Sequence, residues 1–155
     1  MKKTAKMLLI FVLTVTVLFI STLLNCRNLS KQFKDEEISI YIPSGIADDY
    51  TDAMKMSFDD GRMWHYRLKG KQAASIAGEL ENGIWQQVDR NDDFSFFFRA
   101  FEHPPELTDT TYYCIYDVAL NDFCSFSQES APGAHHLLFL YDSGSNDYFC
   151  FSVSA

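Results

Sequence analysis

Residues Met7 to Leu24 read MLLIFVLTVTVLFISTLL, eighteen positions without a charged side chain. At 1.5 Å per helical residue such a run rises roughly 27 Å, close to a hydrocarbon core of about 30 Å. A secreted leader has a shorter apolar centre and a small-x-small cleavage site. Here Phe19 stands two places before Ser21, and Leu24 two places before Cys26, so a bulky side chain occupies the position where cleavage needs a small one. The expectation is an uncleaved single-pass signal anchor at 7–24, with a short cytoplasmic head at 1–6. Lys2, Lys3 and Lys6 oppose Arg27, Lys31 and Lys34 across the span, so the charge rule is balanced. The compact MKKTAK head tips the choice toward an inside N-terminus and an extracytoplasmic body.

Leu23-Leu24-Asn25-Cys26 resembles the lipobox of bacterial lipoproteins, with Asn25 where that pattern has Gly, Ala or Ser. The resemblance implies acylation of Cys26 and makes a lipoprotein the alternative to the anchor. Asn28-Leu29-Ser30 matches a glycosylation sequon, read as coincidence this close to the span.

Past residue 26 the chain holds ten basic and twenty-one acidic residues, a net charge of -11. Nucleic-acid binding needs a basic face and is excluded as a function class, and anionic lipid or wall polymer is expected to be repelled as well. The favoured partners besides the membrane are a protein surface, a cation, or an apolar ligand in a cleft. Residues 25–37 lack an apolar period and read as a polar stalk, and the folded domain is expected at 38–155.

Within it, Ile38 to Ile42 alternates as a strand does, ended by Pro43-Ser44-Gly45. Met54 to Phe58 and Met63 to Leu68 suggest a hairpin through Asp59-Asp60-Gly61, while Ile46 to Phe58 also fits a helix. Lys71 to Asn82 carries Ala73, Ile76, Ala77 and Leu80 at helical spacing, with Gly83 at the αL stop position. Period-two aromatic stretches follow at Phe94–Phe101, Tyr112–Val118, Phe123–Phe126, Leu137–Asp142 and Tyr148–Val153. The fold class is therefore α+β: an antiparallel sheet of five to seven strands with one amphipathic helix on one face, preceded by the transmembrane helix. Ile76 and Leu80 are expected to meet Phe96, Phe98, Leu138 or Leu140.

Chemistry-bearing residues are sparse. Cys114, Cys124 and Cys150 allow one disulfide or three buried thiols. His135 and His136 are adjacent and point to opposite faces of a strand, which reads as a surface pair. His103 and Glu106 are separated by two prolines in a loop. Asp89-Arg90-Asn91-Asp92-Asp93 begins like a calcium loop, but Phe94 and Ala100 stand where Gly and Glu belong. There is no G-x-S-x-G elbow and no phosphate-binding loop. Trp64, Trp85, Phe97, Phe101 and Tyr113 form a candidate aromatic binding patch if exposed, and ordinary core otherwise. No catalytic, cofactor-binding or metal residue is assigned. The expected function is non-catalytic binding by a membrane-anchored extracytoplasmic domain. The alternative is a small envelope hydrolase or metal-dependent enzyme using His103, Glu106, His135 or His136.

Overall fold

A computed structural model describes residues 2–26, 29–33, 38, 40–55, 59–124 and 135–154. Helix α1 (Lys2–Cys26) covers the expected span. Its described side chains are those of residues 6–21, a rise of about 24 Å. Among the described residues, no helix is long and apolar enough to cross a membrane.

The body is an antiparallel sheet of seven strands with helices. The strands are β1 (Asp49–Lys55), β2 (Asp59–Arg67), β3 (Gln86–Gln87), β4 (Thr111–Asp117), β5 (Asp122–Cys124), β6 (His135–Asp142) and β7 (Asp147–Ser154). Their order is β1-β2-β7-β6-β4-β3, with β5 also paired to β4. The helices are α2 (Leu29–Gln32), α3 (Lys71–Leu80) and α4 (Ser95–Phe98). The β1–β2 hairpin exists, but β1 runs earlier than the candidate Met54–Phe58, pairing Lys55 with Asp59. The segment at 56–58 lies outside the described residues. At the other end of the sheet, β6 and β7 close a tight hairpin with Asp142 opposite Asp147, as the polar turn between them predicts.

Side chains alternate across the central strands, and both faces are buried. Trp64, Tyr66, Cys114, Tyr116, Leu137, Phe139, Tyr148 and Cys150 face one core; Met63, Tyr113, Ile115, Leu138, Leu140, Phe151 and Val153 face the other. A sheet with apolar residues on both faces needs two covers. Ile76 of α3 joins the first core and is fully buried there. It therefore shares a core with Trp64, Leu137 and Phe139, and the expected meeting with Leu138 and Leu140, which lie in the other core, is corrected by the strand register. Gly83 takes the expected positive φ of 77° just past α3.

The second cover is the segment expected as a strand at Phe94–Phe101. It is instead α4 and its flanking turns, because Asp93 accepts the Ser95 N–H at 2.9 Å and starts a helical turn. Phe94, Phe97, Ala100 and Phe101 then fall on one side, at steps of three and four, and all are buried against the second face. One helix on one face is thus corrected to covers on both.

The stretch expected as a free polar stalk also contributes to the core. Leu29 and Phe33 are 0% and 3% exposed. The Leu29 N–H donates to the Tyr66 hydroxyl at 3.2 Å, and the Phe33 ring meets Trp64 edge-on at 6.0 Å. Residues 27–28 and 34–37 of that stretch lie outside the described residues. Ile40 is buried and Ile38, Tyr41 and Ile42 pack on the first core, yet 40–48 runs as irregular chain, not as the expected strand. Tyr148 donates its hydroxyl to the Tyr41 carbonyl at 2.7 Å, and the Tyr41 N–H donates to Glu79 of α3 at 2.8 Å. These bonds satisfy backbone groups that a strand would have paired along the sheet.

Gly61 is where α4 closes on the sheet. A Cβ there would lie 2.7 Å from the Ala100 Cβ and 3.2 Å from the Phe101 ring, whereas one at Gly78 of α3 meets nothing within 4 Å. Gly61→Ala is therefore expected to destabilise by about 1–3 kcal/mol, as overpacked cores do. Gly78→Ala should stabilise by up to about 1 kcal/mol. Denaturant unfolding of the two variants checks both signs, and a stable Gly61→Ala would contradict the contact.

Candidate functional site

The five aromatic residues do not form an exposed patch. Trp64, Trp85, Phe97, Phe101 and Tyr113 are 0%, 6%, 3%, 7% and 5% exposed. Trp64 and Trp85 belong to the first core, and the other three to the second, so the sheet separates them.

The cysteines are separated just as firmly. Cys114, Cys124 and Cys150 are not disulfide-bonded. Cys114 lies opposite Phe139, which lies opposite Cys150, so two strand spacings of about 4.8 Å hold the pair about 10 Å apart. A disulfide requires Cα atoms within about 7 Å. Cys124 is opposite Ile115 and packs on the second core, away from both others. Burial pushes the Cys114 thiol far up from its usual range. Burial raises Cys124 too, with the charges of Asp117 and Asp122 adding to it. Neither environment favours a thiolate nucleophile. Cys26 ends α1, and its side chain lies outside the described residues.

The four residues of the enzyme alternative do not converge. His103 and Glu106 are exposed in the loop after α4. His135 sits over the first core, its Nε2 2.8 Å from Ser152 Oγ and its ring 6.4 Å from that of Phe33. His136 points to the other face and is 5% exposed, not a surface residue. Its Nε2 lies 3.3 Å from Asp117 Oδ2, and Phe96 meets its ring edge-on at 5.9 Å. The other carboxylate oxygen of Asp117 accepts the N–H groups of Ala119 and Leu120, so this carboxylate ties the β4–β5 turn to β6. Among the described residues, no three His, Cys, Asp or Glu side chains are grouped to hold a metal ion.

What the fold does build is a cleft of about 770 Å³ beside the β3 edge, lined by Val88, Asp89, Arg90, Asn91, Asp92, Leu107, Thr108 and Asp109. One wall is the acidic turn that resembles a calcium loop in sequence. Asp89 closes it, accepting the Asn91 backbone N–H at 2.9 Å and its side-chain amide at 2.7 Å, while Asp92 accepts the Asp89 N–H at 2.7 Å. The first is an Asx-turn bond, and together the three engage one oxygen of each carboxylate in closing the turn. Phe94 and Ala100, at the Gly and Glu positions of a calcium loop, are core residues. The opposite wall is tied to β3 and β4 through Val88 N–H to the Thr111 carbonyl at 2.9 Å and Thr108 N–H to Thr111 Oγ1 at 3.0 Å. Behind the cleft, burial pushes the Tyr113 hydroxyl up to about 12, with Asp92 and Asp89 adding to the rise. The cleft offers carboxylates, one guanidinium, an amide, a hydroxyl and two aliphatic side chains. This set suits reversible binding of a polar or cationic group. The acidic wall was readable as a turn, but its partner wall, inside a proline-containing loop, carried no signal in sequence. No protein-family model, curated protein or solved structure matches this chain.

Burial lowers the His135 pKa first, with the charges of His136 and Arg62 adding and Asp117 opposing. The folded state therefore prefers neutral His135. The stability this represents is fully present above the unfolded value of about 6.5 and is lost as pH falls toward the lower folded value. Relative to His135→Gln, the parent chain should lose stability between pH 7.5 and 5. Urea unfolding across that range measures the difference, and a constant difference contradicts the burial of a neutral ring.

Proposed function

We propose that this chain is a single-pass, membrane-anchored protein whose α+β domain works outside the cytoplasm by binding rather than by catalysis. The observation that carries the reading is the surface of α1. Its apolar side chains from Met7 to Ile20 are 48–73% exposed, and the domain covers none of them in full. Moving that surface out of water is worth on the order of 10–20 kcal/mol at the usual value per buried apolar side chain. That rivals the 5–15 kcal/mol that typically holds a domain folded, so water is a poor solvent for this helix. Thr14 and Thr16 donate to the Ile10 and Val12 carbonyls at 2.9 Å, which satisfies both hydroxyls within the helix, as lipid requires. With the flanking sequence to Leu24, the run reaches bilayer thickness.

For the domain, the lining of the acidic cleft favours a cationic group or a basic protein surface over an anion. The second reading, a lipoprotein acylated at Cys26, rests on Leu23-Leu24-Asn25-Cys26 and keeps the same domain at the same membrane.

Membrane fractionation with intact-mass analysis tests the reading. The expected result is recovery with membranes after alkaline extraction, release by detergent, and a mass that retains Met1. Acylation of Cys26 with loss of the preceding residues would select the lipoprotein instead. Unprocessed protein in the soluble lysate would contradict both.

A further inference from the structure

The cover over the first face closes on a titratable group. His135 opens β6, and its ring lies against that of Phe33, with 6.4 Å between centroids and the planes tilted by 42°. Phe33 is buried and also packs edge-on against Trp64, so one side chain seals the histidine and the tryptophan together. Leu29, one helical turn earlier, is held by the bond from its N–H to the Tyr66 hydroxyl, and the Phe33 N–H returns to the Leu29 carbonyl at 3.2 Å. A helix of four residues has little stability of its own and stays formed through such tertiary holds.

The charges around His135 disfavour a second positive one. Its Nε2 is 2.8 Å from Ser152 Oγ on β7, a hydroxyl that can accept or donate but brings no charge. Arg62 on β2 and His136 on the same strand both oppose a proton there. The Asp52 carboxylate of β1 lies 3.8 Å from the Arg62 guanidinium and is largely in solvent. From β4, Asp117 favours the proton, but its carboxylate serves His136 and the Ala119 and Leu120 N–H groups on the other face. The Tyr116 and Tyr66 hydroxyls are taken by Asn121 and Leu29. The charged side chains at 31 and 34–37, residues 125–134 with Glu129, and Ala155 lie outside the described residues.

We propose that His135 and Phe33 form an acid-sensitive latch, in which protonation of His135 shifts Leu29 and Phe33 toward a lifted state that lets the domain move relative to α1. A charged imidazole regains water when Phe33 leaves it, because the strands close the side beneath. Burial holds the sealed-state pKa below the ordinary value, so the stability of the sealed form is fully present above about 6.5 and is lost as pH falls. At pH 5 the proton raises the lifted population by at most about thirtyfold, the bound set by an open-state value near 6.5. Two apolar side chains leave the core on lifting, so the lifted form stays a minority and the latch acts on its population. The latch is a property of the folded chain and holds whether or not α1 spans a bilayer.

Amide hydrogen exchange of the full chain in detergent, corrected for the chemical rate at each pH, tests it from pH 7.5 to 5. Protection at the Leu29 and Phe33 amides should fall severalfold, and further than at Trp64 and Cys150 in the middle of the sheet. In His135→Gln, whose amide can still bond Ser152, the difference should vanish. Titration of the His135 ring by NMR supplies the reciprocal measure with position 135 intact: Phe33→Ala should raise its midpoint toward about 6.5. If His135→Gln does not fold, the ring titration decides alone. Constant protection in the parent, equal losses at all four amides, or an unchanged midpoint in Phe33→Ala would overturn the latch. Protection that rises in acid would do the same, since an acidic group would then be closing on the charged ring. A loss that persists in His135→Gln would place the trigger elsewhere and overturn it too.

Discussion

Burial on both faces of β6 and β7 is the constraint on which the rest of the structure depends. Leu137, Leu138, Phe139 and Leu140 are at most 1% exposed, so consecutive side chains of one strand enter different cores. A strand of that kind has no solvent face, and the chain must supply a cover on each side. On one side the cover is α4, seated close enough that position 61 is limited to glycine. On the other it is composite: α3 supplies Ile76, the irregular segment 40–48 supplies Ile40 and Ala47, and α2 with its following turn supplies Leu29 and Phe33. The recruitment of Leu29 and Phe33 has the largest consequence for function. It makes the residues next to the apolar helix part of the folded core and removes the spacer that a stalk would have provided.

Charge is arranged around that geometry. Asp89, Asp92 and Asp109 line the cleft beside the β3 edge. A net charge alone would have described the body as uniformly repelled by anionic surfaces. The buried pair His136–Asp117 is not part of the cleft lining; Asp117 fixes the turn after β4 and partners His136 Nε2, while His136 Nδ1 is buried without a hydrogen-bond partner among the described residues.

The legible part of the fold was the part with a single period. β4, β6 and β7 alternate and are bounded by turn residues, and α3 shows a clean three-and-four spacing up to Gly83. Phe94 to Phe101 misled because a run of adjacent aromatics fits both periods, and the deciding signal was the short-range bond from Ser95 to Asp93. Leu29 and Phe33 were missed because two apolar residues in a charged stretch show no repeat, although their four-residue spacing fits one helix face. The two-residue strand β3 is too short to have a period at all. For the candidate site, the sequence placed the aromatics in strands or beside them but not on a face, and a one-residue change of register exchanges inside for outside. The histidine pair was legible as pointing in opposite directions; that His136 is buried followed only from α4 lying above it. The cysteine distances likewise followed from strand order, which places β6 between β4 and β7 and was not available from spacing.

The central claim is that the segment after α1 is a structural cover for the sheet and not a tether. Amide hydrogen exchange on the full chain in detergent, comparing the parent with a Leu29→Ala/Phe33→Ala variant, tests it most directly. The account predicts that protection falls across β6 and β7, the strands whose first face loses part of its cover. Unchanged protection in both strands would contradict it and return residues 25–37 to the role of a stalk.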